Sequence, residues 1–211
     1  MKLLPILFSI VLLAVSGVAA QEKLKGECRI AGAPVPATAV GQKPLPECPP
    51  EPSSLDFPSV PDSVMKVSLV KRDGTVFTLD EFRGSVVVLH LFATWSGPDR
   101  ADVPQLKEIQ KQYKDSGLKV IGVDAGDGNG SPTDNKVIAQ FAKKLEVNYD
   151  LVREVSFGGM SEAIYTLTKF NGVPQSILID REGMLRAIFL GGSKNVSEKR
   201  KETIDKLMNE K

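Results

Sequence analysis

Reactive side chains are scarce in this 211-residue chain, which has two cysteines, one histidine and one tryptophan. A lone histidine, with Cys28 and Cys48 close to the N-terminus, offers no cluster of the kind that holds a zinc or other transition-metal ion. No metal and no other cofactor is expected. Charge of one sign is missing as well, with 27 Lys and Arg against 26 Asp and Glu. Without a basic stripe there is no electrostatic footprint for nucleic acid, and without an acidic tract none for a strongly cationic partner. No internal repeat is present. Beyond residue 20 no apolar run approaches the ~20 residues that a bilayer span requires.

What is present begins with a leader. Lys2 supplies a short positive region, residues 3–15 are almost unbroken apolar sequence, and Val18-Ala19-Ala20 places small residues at a cleavage site. Residues 1–20 therefore read as a signal peptide cleaved after Ala20. The expectation is a periplasmic or secreted protein with no stable membrane insertion after signal cleavage. In an oxidising compartment Cys28 and Cys48 read as a structural disulfide, which could contribute ~3 kcal/mol by closing a loop of about 20 residues. The alternative is that the pair is redox-active, although neither thiol stands at a recognisable helix start or beside a helper base. Residues 21–60 contain Pro34, Pro36, Pro44, Pro46, Pro49, Pro50, Pro52 and Pro58 and few large apolar residues. Such a segment forms neither helix nor central strand and reads as an extended N-terminal extension.

Residues 61–211 read as the folded domain. Residues 65–70 and 75–79 alternate apolar with polar around Arg72-Asp73-Gly74, which predicts a hairpin. The run around Val86-Val87-Val88-Leu89 predicts a strand covered on both faces. Helical spacing follows over residues 97–116, then a buried strand over 118–123 and a Gly- and Asp-rich loop over 124–134. A helix containing Val137, Ile138, Phe141, Ala142 and Leu145 is next. A short strand near 150–153, a helix over 161–170, a closing hairpin through residues 176–179 and 184–190, and a last helix complete the pattern. Asn195, with Glu198 three residues on, is the expected cap of that last helix. Strands alternating with helices before a terminal hairpin imply an α/β domain, a mixed sheet with helices on both faces.

Two segments carry a resemblance. Residues 86–100, containing His90, Trp95-Ser96-Gly97-Pro98-Asp99 and followed by Val103-Pro104, resemble the redox segment of the TlpA-type redoxins of the thioredoxin-like superfamily. Gly172-Val173-Pro174, followed by Ile177 to Gly183, is similar to their second signature. The resemblance covers roughly residues 64–211. It implies the thioredoxin-like fold, a cis peptide bond before Pro174 and thiol–disulfide oxidoreductase activity. The family's motif is Trp-Cys-x-Pro-Cys, whereas this chain has Ser96 and Asp99 where the two cysteines stand. Disulfide exchange needs a thiolate that attacks sulfur. A serine hydroxyl is not ionised by a helix terminus, and a carboxylate resolves no mixed disulfide, so the motif is a degenerate site with no catalytic residue for that reaction.

Ser96-x-x-Asp99 also fits a capping box, with Ser96 accepting from the third helical N–H and the Asp99 carboxylate reaching back to the Ser96 amide. Pro98 suits the first helical turn, and Pro104 is expected to kink the helix. His90 has two readings: a buried pair with Asp99, or a neutral core histidine bonded to a backbone carbonyl. Trp95, Gly97, Pro98, Val173 and Pro174 are the candidate lining of a groove that would bind extended peptide by strand addition, as the resemblance implies. Asp124-x-x-Asp127-x-Asn129-Gly130 lacks EF-hand spacing and its closing glutamate, and reads as a solvated turn. Three functions are therefore open: a redox-inactive module that binds an extracytoplasmic protein or extended peptide, an envelope oxidoreductase using Cys28 and Cys48, or a structural subunit of an envelope assembly.

Overall fold

The computed structural model of the chain describes residues 57–210. The leader, the Cys28–Cys48 pairing and nearly all of the proline-rich extension lie outside the described residues. In chain order the elements are α1 (Asp62–Met65), β1 (Leu69–Val70), β2 (Val76–Phe77), a 3-10 turn (Leu79–Phe82), β3 (Val86–Phe92) and α2 (Gly97–Tyr113). Then come β4 (Leu118–Asp124), α3 (Asn135–Lys144), β5 (Asp150–Glu154), α4 (Gly159–Thr168), β6 (Gln175–Ile179), β7 (Leu185–Leu190) and α5 (Lys194–Asn209).

The seven strands form one sheet in the order β2-β1-β5-β4-β3-β6-β7. β3, β4 and β5 run parallel, and β6 lies antiparallel on the other side of β3. This is the α/β arrangement expected from the alternation of elements. All seven residues of β3 are buried, as its unbroken apolar run predicts. Successive side chains point to opposite faces. Val87, Leu89 and Leu91 join Met160 and Ile164 of α4, whereas Val86 and Val88 join Leu106 and Ile109 of α2 and Ile204 and Leu207 of α5. Phe92 reaches a third cluster with Val103, Ile138 and Phe141. His90 has the parity of Val86 and Val88, so it enters the layer under α2 and α5.

Two expectations are corrected. Residues 65–70 are not one strand: Val64 and Met65 are buried by the helical turn Asp62–Met65, and only Leu69 and Val70 pair with Phe77 and Val76. One turn of helix buries adjacent apolar residues that an alternating strand would split between two faces. The last helix is capped by Ser193, whose hydroxyl accepts from Val196 N at 3.3 Å, and not by Asn195. Asn195 is already inside the first turn, and Glu198 pairs with Lys194 one turn back. Among the described residues no helix is long and apolar enough to cross a membrane.

Candidate functional site

The end of β3, the start of α2 and the loop before β6 meet at one end of the sheet. Val173–Pro174 is a cis peptide bond. Gly192, just past β7, fills the narrow space between the two prolines. A Cβ there would lie 3.0 Å from Pro98 O and 3.2 Å from both Pro98 Cβ and Pro174 Cγ, so only glycine lets β7 end so close. Pro98 is exposed, Pro174 is buried and Val173 is half-buried. Neither the N–H nor the C=O of Val173 has a hydrogen-bond partner among the described residues, whereas Pro174 O accepts from Gly191 N at 2.9 Å.

Trp95 is held at its rim and open on its face. The indole is 54% exposed. Its Nε1 donates to Gly126 O at 3.0 Å. The loop after β4 can come this close because Gly126 (φ 102°) and Gly128 (φ 88°) adopt left-handed backbone. A Cβ on Gly126 would strike Phe157 and Ser131 O at 2.7 Å, and one on Gly128 would press within 3.2 Å of the indole nitrogen. The guanidinium of Arg100 donates to Thr94 O at 2.6 Å and Trp95 O at 3.1 Å, tying the motif turn from outside. Gly97 occupies the first position of α2, exposed and with open space where a Cβ would sit.

Asp124, which ends β4, and Asp127 in the loop after it have separate tasks. Asp127 Oδ1 accepts from Asn129 N and Ser131 N and shapes the exposed turn. Asp124 is buried and accepts from Thr133 N and Oγ1 at 3.1 and 2.8 Å. Burial pushes the Asp124 carboxyl above its usual range, opposed by those two bonds.

Only half of the expected capping box forms. Ser96 Oγ accepts from Asp99 N at 3.3 Å, but the Asp99 carboxylate does not return to the Ser96 amide, which donates to Ala93 O. Asp99 is 1% exposed and turns inward. Its Oδ2 accepts from Ala93 N at 3.3 Å, and its Oδ1 lies 3.3 Å from His90 Nε2 without hydrogen-bond alignment. The other ring nitrogen of His90, Nδ1, is 2.9 Å from Ser176 Oγ, so its partner is a hydroxyl and not the backbone carbonyl of one expectation. His90 and Ser176 are register partners on β3 and β6, which brings the two side chains to the same face.

The chain of contacts runs further than sequence reasoning reached. Arg200 of α5, 1% exposed, donates through Nη1 to Ser176 Oγ at 3.1 Å and to Asp102 Oδ2 at 3.0 Å. Its Nε and Nη2 donate to Gln105 Oε1 at 3.1 and 2.6 Å. Asp102 Oδ1 accepts from Ser197 Oγ at 2.8 Å. A signal was there to be read. Arg200 falls between Val196 and Ile204 on the apolar stripe of its helix, and Asp99 and Asp102 accompany Val103, Leu106 and Ile109 on theirs. A charge in an apolar stripe must meet its opposite on the facing element.

Among the described residues the site contains a hydroxyl, a carboxylate and an imidazole, and no sulfur. It offers instead a fixed aromatic face and unpaired main chain beside a cis-proline.

Comparison with known proteins agrees with this architecture. Over 111 residues the chain is 31% identical to the thiol-disulfide oxidoreductase ResA of Bacillus thuringiensis subsp. konkukian, covering 53% of this chain and 58% of that protein. It is 26% identical over 124 residues to the thioredoxin-like protein YneN of Bacillus subtilis, covering 59% and 67%. The chain thus spans little more than half the length of the ResA protein it matches. Among solved structures, a thiol:disulfide interchange protein of the thioredoxin family from Chlorobium tepidum superposes with a TM-score of 0.57 at 19% identity, covering 67% of this chain and 92% of that one. A thiol:disulfide interchange protein from a Bacteroides species gives 0.57 at 18% identity, covering 73% and 90%. At these identities the likeness is one of fold. The sequence profile of the Redoxin family matches residues 32–204, and with the sheet, the motif turn and the cis-proline loop at one end of it, the chain belongs to the redoxin family of the thioredoxin-like superfamily.

Proposed function

We propose that this redoxin domain binds extended polypeptide at the end of the sheet that bears Trp95 and Val173–Pro174, and that its motif exchanges no disulfide. The observation that carries the reading is the unpaired main chain of Val173, half-buried beside Pro174. An amide and carbonyl without partners in a half-buried residue call for a ligand strand or water to satisfy them. A passing strand that pairs with Val173 would gain two backbone hydrogen bonds, and the open face of Trp95 would take its side chains. Ser96 and Asp99 support the second half of the proposal, because the reaction named for the ResA relative requires a thiolate. The leader-like residues 1–20 extend the proposal to an exported protein acting on an extracytoplasmic partner. Mass spectrometry of the natural protein tests that extension by locating its mature N-terminus, expected at Gln21.

Calorimetric titration of the full chain with a reduced, alkylated and therefore permanently unfolded polypeptide tests the groove. Binding is expected, and replacing Trp95 and Pro174 together with alanine is expected to weaken it at least tenfold, about 1.4 kcal/mol. Undiminished binding by the double variant removes the groove. A parallel insulin-reduction assay with dithiothreitol is expected to show no acceleration. Turnover that disappears in Cys28→Ser would replace this reading with an oxidoreductase that uses the two N-terminal cysteines.

A further inference from the structure

The layer between β3, β6, α2 and α5 buries a chain of polar groups whose charges do not balance while His90 is neutral. Asp99 and Asp102 face it from α2, Arg200 from α5 and Ser176 from β6, while β4 presents only Gly122 opposite His90. Tyr149, whose phenol shares the electrostatic environment of Arg200, Asp102 and Asp99, is kept neutral because burial pushes its pKa well up. Counted in their ionised forms, two carboxylates against one guanidinium leave one buried negative charge. The Arg200–Asp102 pair is satisfied by direct bonds and by Ser197. The excess therefore lies on Asp99, whose Oδ1 accepts no hydrogen bond.

The neutral ring is taken in one tautomer: Ser176 Oγ accepts from Arg200 and gives its one hydrogen to the His90 Nδ1 lone pair. The ring hydrogen is then on Nε2, the atom that faces Asp99 Oδ1 at 3.3 Å.

We propose that His90 is the proton-binding element of a switch that sets how tightly the 93–99 turn is held, and through it the seating of Trp95. When the proton is bound, it comes from solvent and forms one N–H bond at Nδ1. The Ser176 hydroxyl turns its hydrogen away and accepts from Nδ1–H through its second lone pair, keeping its bond from Arg200. Two carboxylates, one guanidinium and one imidazolium then sum to zero charge. Asp99, now facing a cation, is drawn toward the ring. It carries with it Ala93 N, bonded to Oδ2, and its own amide, bonded to Ser96 Oγ. Trp95 lies between those anchors. When the proton is lost, Asp99 Oδ1 faces only a misaligned N–H and the turn relaxes. This inference concerns the turn alone and stands whether or not the groove binds peptide.

The chain suits a direct test because it has one histidine and one tryptophan. In the full chain labelled with nitrogen-15, the imidazole nitrogens and the Trp95 indole N–H are followed over about pH 5 to 8, where histidine ordinarily titrates. The expected results are the Nε2–H tautomer at the high end, and an indole resonance that shifts along the same curve as the ring nitrogens. In Asp99→Asn the ring is expected still to titrate while the indole shift is lost. The proposal is overturned by an Nδ1–H tautomer at high pH, by a ring that keeps one protonation state across the range, or by an indole signal indifferent to the ring. An indole shift undiminished in Asp99→Asn overturns it as well. If Asp99→Asn does not fold, the wild-type curves decide.

Discussion

The two halves of the layer beneath α2 and α5 are equally buried and chemically opposite. Away from the motif, Val86, Val88, Leu106, Ile109, Leu178, Ile204 and Leu207 form hydrocarbon packing. Toward the motif, the same strands and helices contribute His90, Asp99, Asp102, Ser176 and Arg200, each about 1% exposed. Both halves exclude water, but they tolerate change differently. A hydrocarbon contact is non-directional and can be exchanged for another of similar volume. A buried charge requires a specific partner at a specific distance. The first half holds the fold together, while the second ties β3, β6 and α5 to the turn that bears Trp95.

The largest effect expected from breaking the polar half is that of Arg200→Met. It strands Asp102 and should cost about 3–5 kcal/mol in urea denaturation. Adding Asp102→Leu to that variant removes the stranded charge and should restore most of the loss; if it restores nothing, the pair was never the reason for the penalty. In the hydrocarbon half, Leu106→Ala should cost roughly 2–5 kcal/mol by leaving a cavity, with no second substitution of one residue able to cancel it so fully. At the junction with solvent, Ser96→Ala removes the bond to Asp99 N and should cost about 1 kcal/mol of thermal or urea stability.

Asp124→Asn sharpens the contrast from another quarter. The folded state raises the Asp124 pKa, chiefly by burial, so it holds that proton more tightly than the unfolded chain does. The resulting stability is present below the ordinary aspartate value of about 3.9 and is lost as pH rises through the folded value. An amide keeps an acceptor for Thr133 without a titrating charge. The stability of Asp124→Asn relative to wild type should therefore be more favourable at neutral pH than in acid, as measured by urea melts at both. A difference independent of pH would show that the carboxyl is not perturbed.

Much of this layer was legible in the sequence as pattern. The run centred on Val87 and Val88 announced a strand covered on both faces. Helical spacing over residues 97–116 announced α2, while the resemblance to the TlpA-type redoxins, and not pattern, pointed to Trp95 and Val173–Pro174. The local Ser-x-x-acid spacing marks Asp99 as a cap, and the alternative of a buried pair with His90 is not a local signal. Its inward rotamer depends on Ala93 N and His90, placed by the strand-to-helix turn. Arg200 and Asp102 are separated by 98 residues, so their pairing has no local signature beyond a charge in each apolar stripe.

The order of residues alone determined the periodicities, the turns and the absence of sulfur from the motif, because these depend on neighbours a few positions apart and on elemental chemistry. Tertiary structure decided which face His90 entered, that Ser176 and Arg200 would meet it there, and that Gly192 would sit between Pro98 and Pro174. Those contacts join strands and helices distant in the chain, and only their packing brings the atoms within hydrogen-bond or van der Waals reach.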